Sequence, residues 1–296
     1  QGLGQEVDRV RISTVPTLLQ RQGVFTEQVG GSVPTIYDPE TTGSHAGGWF
    51  SRQQFPRNTI PVERIDSVAR DLLNRYPLPN LDGTANNYQR MGLERQKQEQ
   101  ISIRIDHRIT NSTWGFFRVV RASDVVNPVT PLPDGSGNIA IGAIGDTVTG
   151  STHFVGTLNV AKGRALNELR FGYTRRAVDR SSGVLDQPIG LAGLPVSGVF
   201  SSTLPTFVID GYEQIGPPVS ANADSKTDVT QIINVLSWQR GQHFLKVGID
   251  WRWQRLDIVQ PPAPTGLFRF STLFTDLPGR PGTGSSLASF LLGQVE

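Results

Sequence analysis

Hydrophobic and polar residues alternate with a period of two in three parts of the chain, most clearly in residues 227–254. A turn at residues 240–241 would pair Leu236 with Leu245 and Ile232 with Ile249, so that both strands put their apolar residues on one face. This stretch therefore predicts a long antiparallel hairpin. Along its second strand Leu245, Val247, Ile249, Trp251 and Trp253 fall on one side, and Lys246, Gly248, Asp250 and Arg252 fall on the other.

Residues 100–122 predict a second hairpin, in which isoleucines alternate with polar residues. We expect a turn of three residues near 111–112, because it places Val119 opposite Ile105 and Asp106 opposite Arg118. A turn of two residues would instead put Arg118 beside Ile105. An arginine at mid-height on a lipid-facing surface costs roughly 2–4 kcal/mol, which favours the longer turn.

Residues 152–176 predict a third hairpin, with Lys162-Gly163 as its turn. In that register Phe154 lies opposite Phe171, and Val155 lies opposite Arg170.

The predicted strands are longer than the five or six residues that are usual in globular proteins and match tilted membrane-spanning strands of about nine to eleven. Trp238 lies beside one turn, and Trp251 and Trp253 lie at the far end of their strand. Aromatic residues would thus mark both edges of an apolar band. A soluble antiparallel sheet with its apolar face on a core explains the same alternation, so both interpretations stay open.

The rest of the chain is rich in proline and glycine, and it predicts loops. Residues 1–99 carry little strand pattern and one helix, at about 62–76, whose apolar residues recur at helical spacing. Long loops are expected at 123–151 and 177–226. Residues 257–296 predict a further loop or strand and the start of a helix, and we expect both chain ends to be cuts within a longer protein. Short turns that alternate with such loops are typical of outer-membrane barrels.

Composition narrows the class of protein further. With 37% hydrophobic and 18% charged residues, the chain is too polar for a bundle of membrane helices. The absence of cysteine excludes disulfides and thiolate metal sites. A net charge of +2 without a polybasic tract gives no support for nucleic-acid binding. The four histidines lack metal-ligand spacing, and no nucleophile or acid–base motif is visible, so we expect no enzymatic activity, metal or cofactor.

Short motifs in a fixed order resemble those of TonB-dependent outer-membrane transporters, in particular the Oar-like branch, whose members carry a carboxypeptidase-regulatory-like domain. The motifs run almost from the start of the chain to its end. They are Thr14-Val15-Pro16-Thr17, Ile36-Tyr37-Asp38-Pro39, Ile60-Pro61, Arg64-Ile65-Asp66, Tyr76-Pro77-Leu78-Pro79-Asn80, Asn86-Asn87-Tyr88, Arg104-Ile105-Asp106-His107, Asn167-Glu168-Leu169-Arg170-Phe171-Gly172-Tyr173, Gly211-Tyr212, Leu236-Ser237-Trp238, Lys246-Val247-Gly248 and Phe290-Leu291-Leu292-Gly293.

The resemblance implies an all-β fold: an internal segment, of about six or seven long strands, of an antiparallel up-and-down transmembrane β-barrel with long irregular extracellular loops and a short loop helix. It implies a location in the bacterial outer membrane, in contact with its lipid. The function it implies is the uptake of a large nutrient such as a siderophore, glycan or peptide. Energy would come from the TonB-ExbB-ExbD system through N-terminal parts that lie outside this chain.

Three sets of residues are candidates for functional roles. Residues expected to line the lumen and to contact a plug or a passing solute are Arg104, Asp106, Arg108, Arg118, Glu168, Arg170, Lys246, Asp250 and Arg252. Aromatic residues expected at the membrane interface are Trp114, Tyr173, Trp238, Trp251 and Trp253. Exposed loop aromatics expected to contact the substrate are Trp49, Phe207 and Tyr212.

Two other functions compete with the transporter. The chain could be a soluble or surface-anchored β-sandwich that binds glycans or proteins through its loops, or an all-β hydrolase, for which no catalytic motif speaks. The placement of the apolar face separates the first two hypotheses. In a barrel this face meets lipid, whereas in a sandwich the apolar faces of two sheets pack on each other.

Overall fold

A computed structural model describes residues 2–137, 145–181, 204–220, 223–264 and 266–296. The described chain is mostly antiparallel β-structure, as the alternation predicts. Parts of the predicted loops 123–151 and 177–226, namely residues 138–144, 182–203 and 221–222, lie outside the described residues. No helix in the described ranges is long and apolar enough to cross a membrane.

Eleven strands and three short α-helices are defined in the described residues. Seven strands form one antiparallel sheet in the order β1-β4-β5-β6-β7-β9-β10, and two small sheets pair β2 with β3 and β8 with β11. The strands are β1 Gly2–Ser13, β2 Tyr37–Ser44, β3 Phe50–Gln54, β4 Tyr88–Thr110, β5 Thr113–Asn127, β6 Asp146–Lys162, β7 Ala165–Ser181, β8 Thr206–Ile209, β9 Ala223–Arg240, β10 His243–Val259 and β11 Leu267–Phe270. The helices are α1 Leu18–Arg21, α2 Ser67–Leu73 and α3 Ser286–Leu291.

The first part of the chain contains more of the sheet than the sequence predicts. Residues 1–99 were expected to form loops, but β1 pairs with the first half of β4, which is 23 residues long. Both faces of this region carry mainly polar side chains, so the hydrophobic alternation that reveals a strand is missing there. The three predicted hairpins are likewise longer than expected, because their polar ends continue the same backbone ladder.

Two hairpin registers differ by two residues from those predicted. Leu236 lies opposite Val247 instead of Leu245, and Phe154 lies opposite Tyr173 instead of Phe171. The two loop residues are Gly163-Arg164 and Gly241-Gln242, with glycine first at φ of 62° and 59°. A type II′ turn requires glycine at this first position, whereas the prediction put it second. A shift of two residues leaves every side chain on its predicted face.

The predicted register of the first hairpin is also wrong. A bulge at Ile109 precedes a two-residue turn, and Ile105 lies opposite Phe117, not Val119. Arg118 lies opposite Arg104 instead of Asp106. The bulge takes up one residue, so even the shorter turn keeps Arg118 away from the isoleucine face.

The helix predicted at 62–76 is broken. Its first residues form a 3-10 turn, Val62–Arg64, and α2 begins only after Asp66, whose side chain accepts a hydrogen bond from the Ala69 amide at 3.0 Å. The N-cap at Asp66 fixes the start of the helix at Ser67. The predicted apolar stripe packs as expected, and Leu72 and Tyr76 are 1% and 3% exposed.

The loops expected to be irregular pack together around a hydrophobic core. We call this unit the loop cap; its described parts are residues 14–87, 128–137, 204–220, 260–264 and 266–296. Helix α3 is entirely buried within it. The buried hydrophobic residues of the cap include Val15, Phe25, Ile36, Phe55, Ile60, Leu72, Tyr76, Leu132, Leu204, Phe207, Ile209, Ile215, Phe270, Leu287, Phe290 and Leu291. The hydrophobic cluster of the described chain thus lies in the cap and not on either face of the large sheet.

Arg21 ties two segments of the cap together. Its guanidinium donates hydrogen bonds to the carbonyl groups of Pro16, of Leu73 at the end of α2, and of Tyr76 and Pro77, which follow this helix. Burial lowers the pKa of Arg21. The side chain therefore acts as a donor for carbonyl groups at and after the end of α2, where the helix has no further amide groups to offer.

We predict that Arg21→Ala opens the cap locally. Several carbonyl groups would lose their donor at a cost of about 2–3 kcal/mol, which corresponds to roughly 30–150-fold faster cleavage when proteolysis follows the population of the open form. Limited proteolysis of the folded full-length parent protein measures this rate. Arg70→Ala is the matched control, because Arg70 lies on α2 and donates only to one exposed carbonyl. Equal cleavage rates for both variants would contradict the role of Arg21.

Candidate functional site: the two faces of the sheet

The strand registers assign every side chain of the large sheet to one of two faces, because residues directly opposite each other share a face. One continuous row runs Ile105, Phe117, Gly156, Phe171, Ile232 and Trp251 across six strands. We call this surface the apolar face. Its apolar belt consists of Ile101, Ile103, Ile105, Phe117, Val119, Phe154, Leu158, Val160, Leu169, Phe171, Tyr173, Ile232, Leu236, Trp238, Leu245, Val247, Ile249, Trp251 and Trp253.

The apolar belt is uncovered in the described part of the chain. Ile249 is 72% exposed, Trp253 is 61% exposed and even Leu169, in the interior strand β7, is 39% exposed. On β10 the belt runs for eight residue steps from Leu245 to Trp253, which is roughly 26 Å along the strand. In a strand tilted by about 40°, as in outer-membrane barrels, this length covers roughly 20 Å of an apolar band that is about 25 Å tall. In a sandwich this face would be packed on a second sheet.

Four of the five predicted interface aromatics lie on the apolar face. Trp238 lies near the turns, and Tyr173, Trp251 and Trp253 lie toward the other end. The Tyr173 hydroxyl donates a hydrogen bond to Asp228 at 2.6 Å, which gives its polar end a partner beyond the belt. Their contact with the membrane interface stays a prediction.

Trp114 lies on the opposite face from these four residues. It is opposite Arg108 and has the same parity on β5 as Phe116 and Arg118. Since side chains alternate along a strand, Trp114 cannot share a face with Phe117, which belongs to the belt. The expectation that Trp114 marks the outer membrane interface is therefore wrong.

All nine charged residues expected to line a lumen lie on this second face, which we call the polar face. Arg104 and Asp106 form an ion pair at 2.7 Å, and Glu168 pairs with Arg170 on β7. Each pair joins residues two apart on one strand, where side chains point the same way. Whether this face borders a barrel lumen stays a prediction.

The other members of this set differ in their contacts. Arg118 donates to the Ser102 hydroxyl at 3.1 Å, and Asp250 accepts from Gln231 at 2.8 Å. Arg108, Lys246 and Arg252 form no ion pair with another described residue. The polar face thus presents cations that are available to a further group.

A groove of about 570 Å³ crosses the polar face near the turns. The Arg104 guanidinium lies 3.8 Å from the centre of the Phe116 ring, a cation–π contact. Gly115 allows β5 and β6 to approach here, because a Cβ atom at this position would lie 2.1 Å from the Thr157 carbonyl oxygen. The groove is lined by Arg104, Asp106, Trp114, Phe116, Glu168 and Arg170, among others.

The chemistry of the groove is that of binding. Two arginines and two carboxylates give it both signs of charge beside two aromatic rings, a combination that suits polar ligands with apolar surfaces. The sequence could have predicted the place of the two aromatic residues. Trp114 and Phe116 are four and two residues before Arg118 on the same strand, so all three side chains share one face. In the described ranges no three histidine or acidic side chains come together to hold a metal ion.

The three loop aromatics proposed as substrate contacts differ in exposure. Trp49 is 56% exposed and stacks on His45 at a centroid distance of 3.8 Å, in the loop between β2 and β3. Phe207 is only 1% exposed and stacks on Phe268 in the cap core, so the expectation that it is exposed is wrong. Tyr212 packs against the same core, and burial raises its pKa. Both residues pack among apolar side chains. The sequence does not predict this, because the segment around them is rich in proline and shows no helix or strand periodicity.

A long-stranded antiparallel sheet with one uncovered apolar face and one charged face is the wall of a transmembrane β-barrel. The sequence profile of the outer membrane beta barrel domain matches residues 1–296, and the chain belongs to this family. Its location is the bacterial outer membrane. A search of curated proteins finds no match.

The adjacent residues Ile232 and Ile233 allow a direct test of the two faces. Ile232 lies in the belt between Phe171 and Trp251, whereas Ile233 lies on the polar face between Arg170 and Asp250. We predict that Ile232→Arg destabilises the barrel by roughly 2 kcal/mol, since it places a charge toward lipid. Ile233→Arg should change stability by less than about 0.5 kcal/mol.

The measurement is denaturant unfolding of the full-length parent protein in lipid vesicles, with both variants compared under identical conditions. Equal destabilisation by the two substitutions would contradict the division into a lipid-facing and a polar face. A larger effect of Ile233→Arg would show that the two faces are assigned the wrong way round.

Proposed function

We propose that this chain forms part of the wall and the outer loop cap of a TonB-dependent transporter that takes up a large nutrient across the outer membrane. The observation that carries the proposal is the charged face of the sheet. A wall that only anchors a protein in lipid has no need of nine charged residues on one face of four strands. A wall that borders a solute pathway or a plug does.

The seven strands form an open sheet in the described residues, with β1 and β10 at its edges. We propose that they belong to a larger barrel, of about 22 strands as in plugged outer-membrane transporters. The apolar belt would contact lipid, and the polar face would contact the plug and the passing solute. The unpaired cations Arg108, Lys246 and Arg252 are available for either contact.

The loop cap supports a role in substrate capture. Porin-like channels need an open mouth, whereas here the connection between β1 and β4 and the described parts of those after β5, β7 and β10 pack into one buried core. Such a unit presents a defined surface to the outside, on which Trp49 is the remaining candidate for substrate contact. Phe207 and Tyr212 stabilise the cap instead. The nutrient would be a siderophore, a glycan or a peptide.

The alternative hypothesis of a soluble β-sandwich is not favoured by the structure of the described residues. It needs a second sheet on the apolar face, and the belt is uncovered throughout the described residues. We therefore propose no separate function for the loops as a soluble binding module.

The test is energised uptake by cells that carry or lack the parent protein, with labelled siderophores, oligosaccharides and peptides that are too large for porins. We expect one class to accumulate only in cells with the protein, and this accumulation to stop when the proton-motive force is collapsed. Accumulation that is equally fast without this force would contradict an energised transporter and would indicate a passive channel.

Charge reversal on the polar face gives a second readout of the same proposal. Glu168→Arg combined with Arg170→Glu keeps the net charge but inverts the pair, and we expect uptake to fall several-fold at an unchanged amount of protein in the membrane. Arg255→Gln, on the apolar side of the sheet beyond the belt, is the control and should leave uptake unchanged.

A further inference from the structure

A row of two arginines and a threonine lies on the apolar face at the edge of the belt. Arg121 on β5 is opposite Thr152 on β6, which is opposite Arg175 on β7. The next row toward the turns consists of Val119, Phe154 and Tyr173, which belong to the belt. On β5, β6 and β7 the charged row therefore begins where the belt ends, whereas on β4 the belt extends one row further to Ile101, which lies opposite Arg121. We call these three residues the arginine shelf.

The row beyond the arginine shelf leaves it open. Ser123, Gly150 and Ala177 lie there on the same three strands. A Cβ atom added to Gly150 would meet no other atom within 4 Å. The arginine shelf thus lies between a row of larger, belt residues on the side of the turns and a row of small residues on the side of the loop cap. The small residues leave the space beside the arginines open.

The cations of the arginine shelf are not neutralised as their neighbours are. Arg121 is exposed, and its side chain forms no hydrogen bond or ion pair with another described residue. The Arg175 guanidinium lies 3.9 Å from Asp228, a carboxylate that already accepts the Tyr173 hydroxyl. Other strand cations at this end of the face have close acidic partners, such as Arg255 with Asp257 at 2.9 Å and Arg95 with Glu6 at 3.1 Å.

The spacing of the shelf fits one anionic group. Neighbouring strands lie about 4.8 Å apart, so the Cα atoms of Arg121 and Arg175 are roughly 10 Å apart. Two arginine side chains can converge over that distance on a group placed above Thr152. A guanidinium fork binds phosphate oxygens in a bidentate manner, and the threonine hydroxyl supplies a further donor.

We propose that the arginine shelf binds the phosphate of a membrane lipid in the leaflet on the side of the loop cap. The two positive charges favour an anionic group such as phosphate. The adjacent belt favours a lipid as its source, because the acyl chains would lie against Val119, Phe154 and Tyr173 in the next row toward the turns. The inference rests on the proposed contact of the belt with lipid. It goes beyond the transport function, since it concerns the outer surface of the wall.

The test compares the binding of bisphosphorylated lipid A and of its dephosphorylated form to the full-length parent protein in detergent, by native mass spectrometry and thermal-shift titration. We expect the phosphorylated lipid to bind at least about tenfold more tightly, as a charge-assisted contact predicts. The double variant Arg121→Gln/Arg175→Gln should remove this preference. Arg255→Gln is the matched control, because Arg255 lies on the same face beyond the belt but is paired with Asp257.

Equal binding of the two lipids by the unchanged protein would overturn the proposal without any variant. So would a double variant that keeps the preference, or an equal loss in Arg255→Gln, which would indicate attraction by overall charge. Heat-modifiable migration in gel electrophoresis confirms that each variant is a folded barrel. The assay contains no transported solute and no energy source, so its outcome is independent of whether the protein is a TonB-dependent transporter.

Discussion

Backbone hydrogen bonding between neighbouring strands is the constraint on which the rest of the structure depends. Within hydrocarbon no water is available to pair with amide and carbonyl groups, so each spanning strand must find its partners in the strands beside it. Once seven strands are locked in one ladder, the parity of each residue decides its face. The division between an apolar belt and a charged face, and with it any function of either face, follows from that ladder.

The same constraint explains why the hydrophobic core lies outside the sheet. A soluble sheet must cover its apolar face with other parts of the same chain, whereas lipid covers the face of a barrel wall. The apolar residues of the connecting segments are then free to pack with each other. They do so in the loop cap, where Phe25, Leu72, Phe207, Phe270 and Phe290 are almost fully buried. Lipid thus covers the apolar residues of the wall, whereas the apolar residues of the cap are buried against one another and away from water.

The sequence predicted the wall better than the cap, for physical reasons that particular residues make clear. Alternation assigned Ile101, Arg104, Val247 and Asp250 to faces correctly even though all three registers were wrong, because each error was an even number of residues. It overlooked β1, whose side chains meet polar surroundings on both faces. It also mistook Phe207 for an exposed residue. A buried residue in a loop has no period to reveal it, since its contacts come from segments that are distant in sequence, such as the stacking of Phe207 on Phe268.

The most direct measurement of the central claim is a cysteine scan of residues 244–253 on β10 in the parent protein, reconstituted in vesicles. This chain contains no cysteine of its own, so within it each introduced cysteine is the single attachment point for a fluorophore, and any cysteine elsewhere in the parent protein is replaced first. Brominated lipids then report which labels touch hydrocarbon. We expect strong quenching at the odd-numbered positions from Leu245 to Trp253 and weak quenching at the even-numbered ones. Quenching with no period of two, or strongest at Lys246, Asp250 and Arg252, would contradict this expectation.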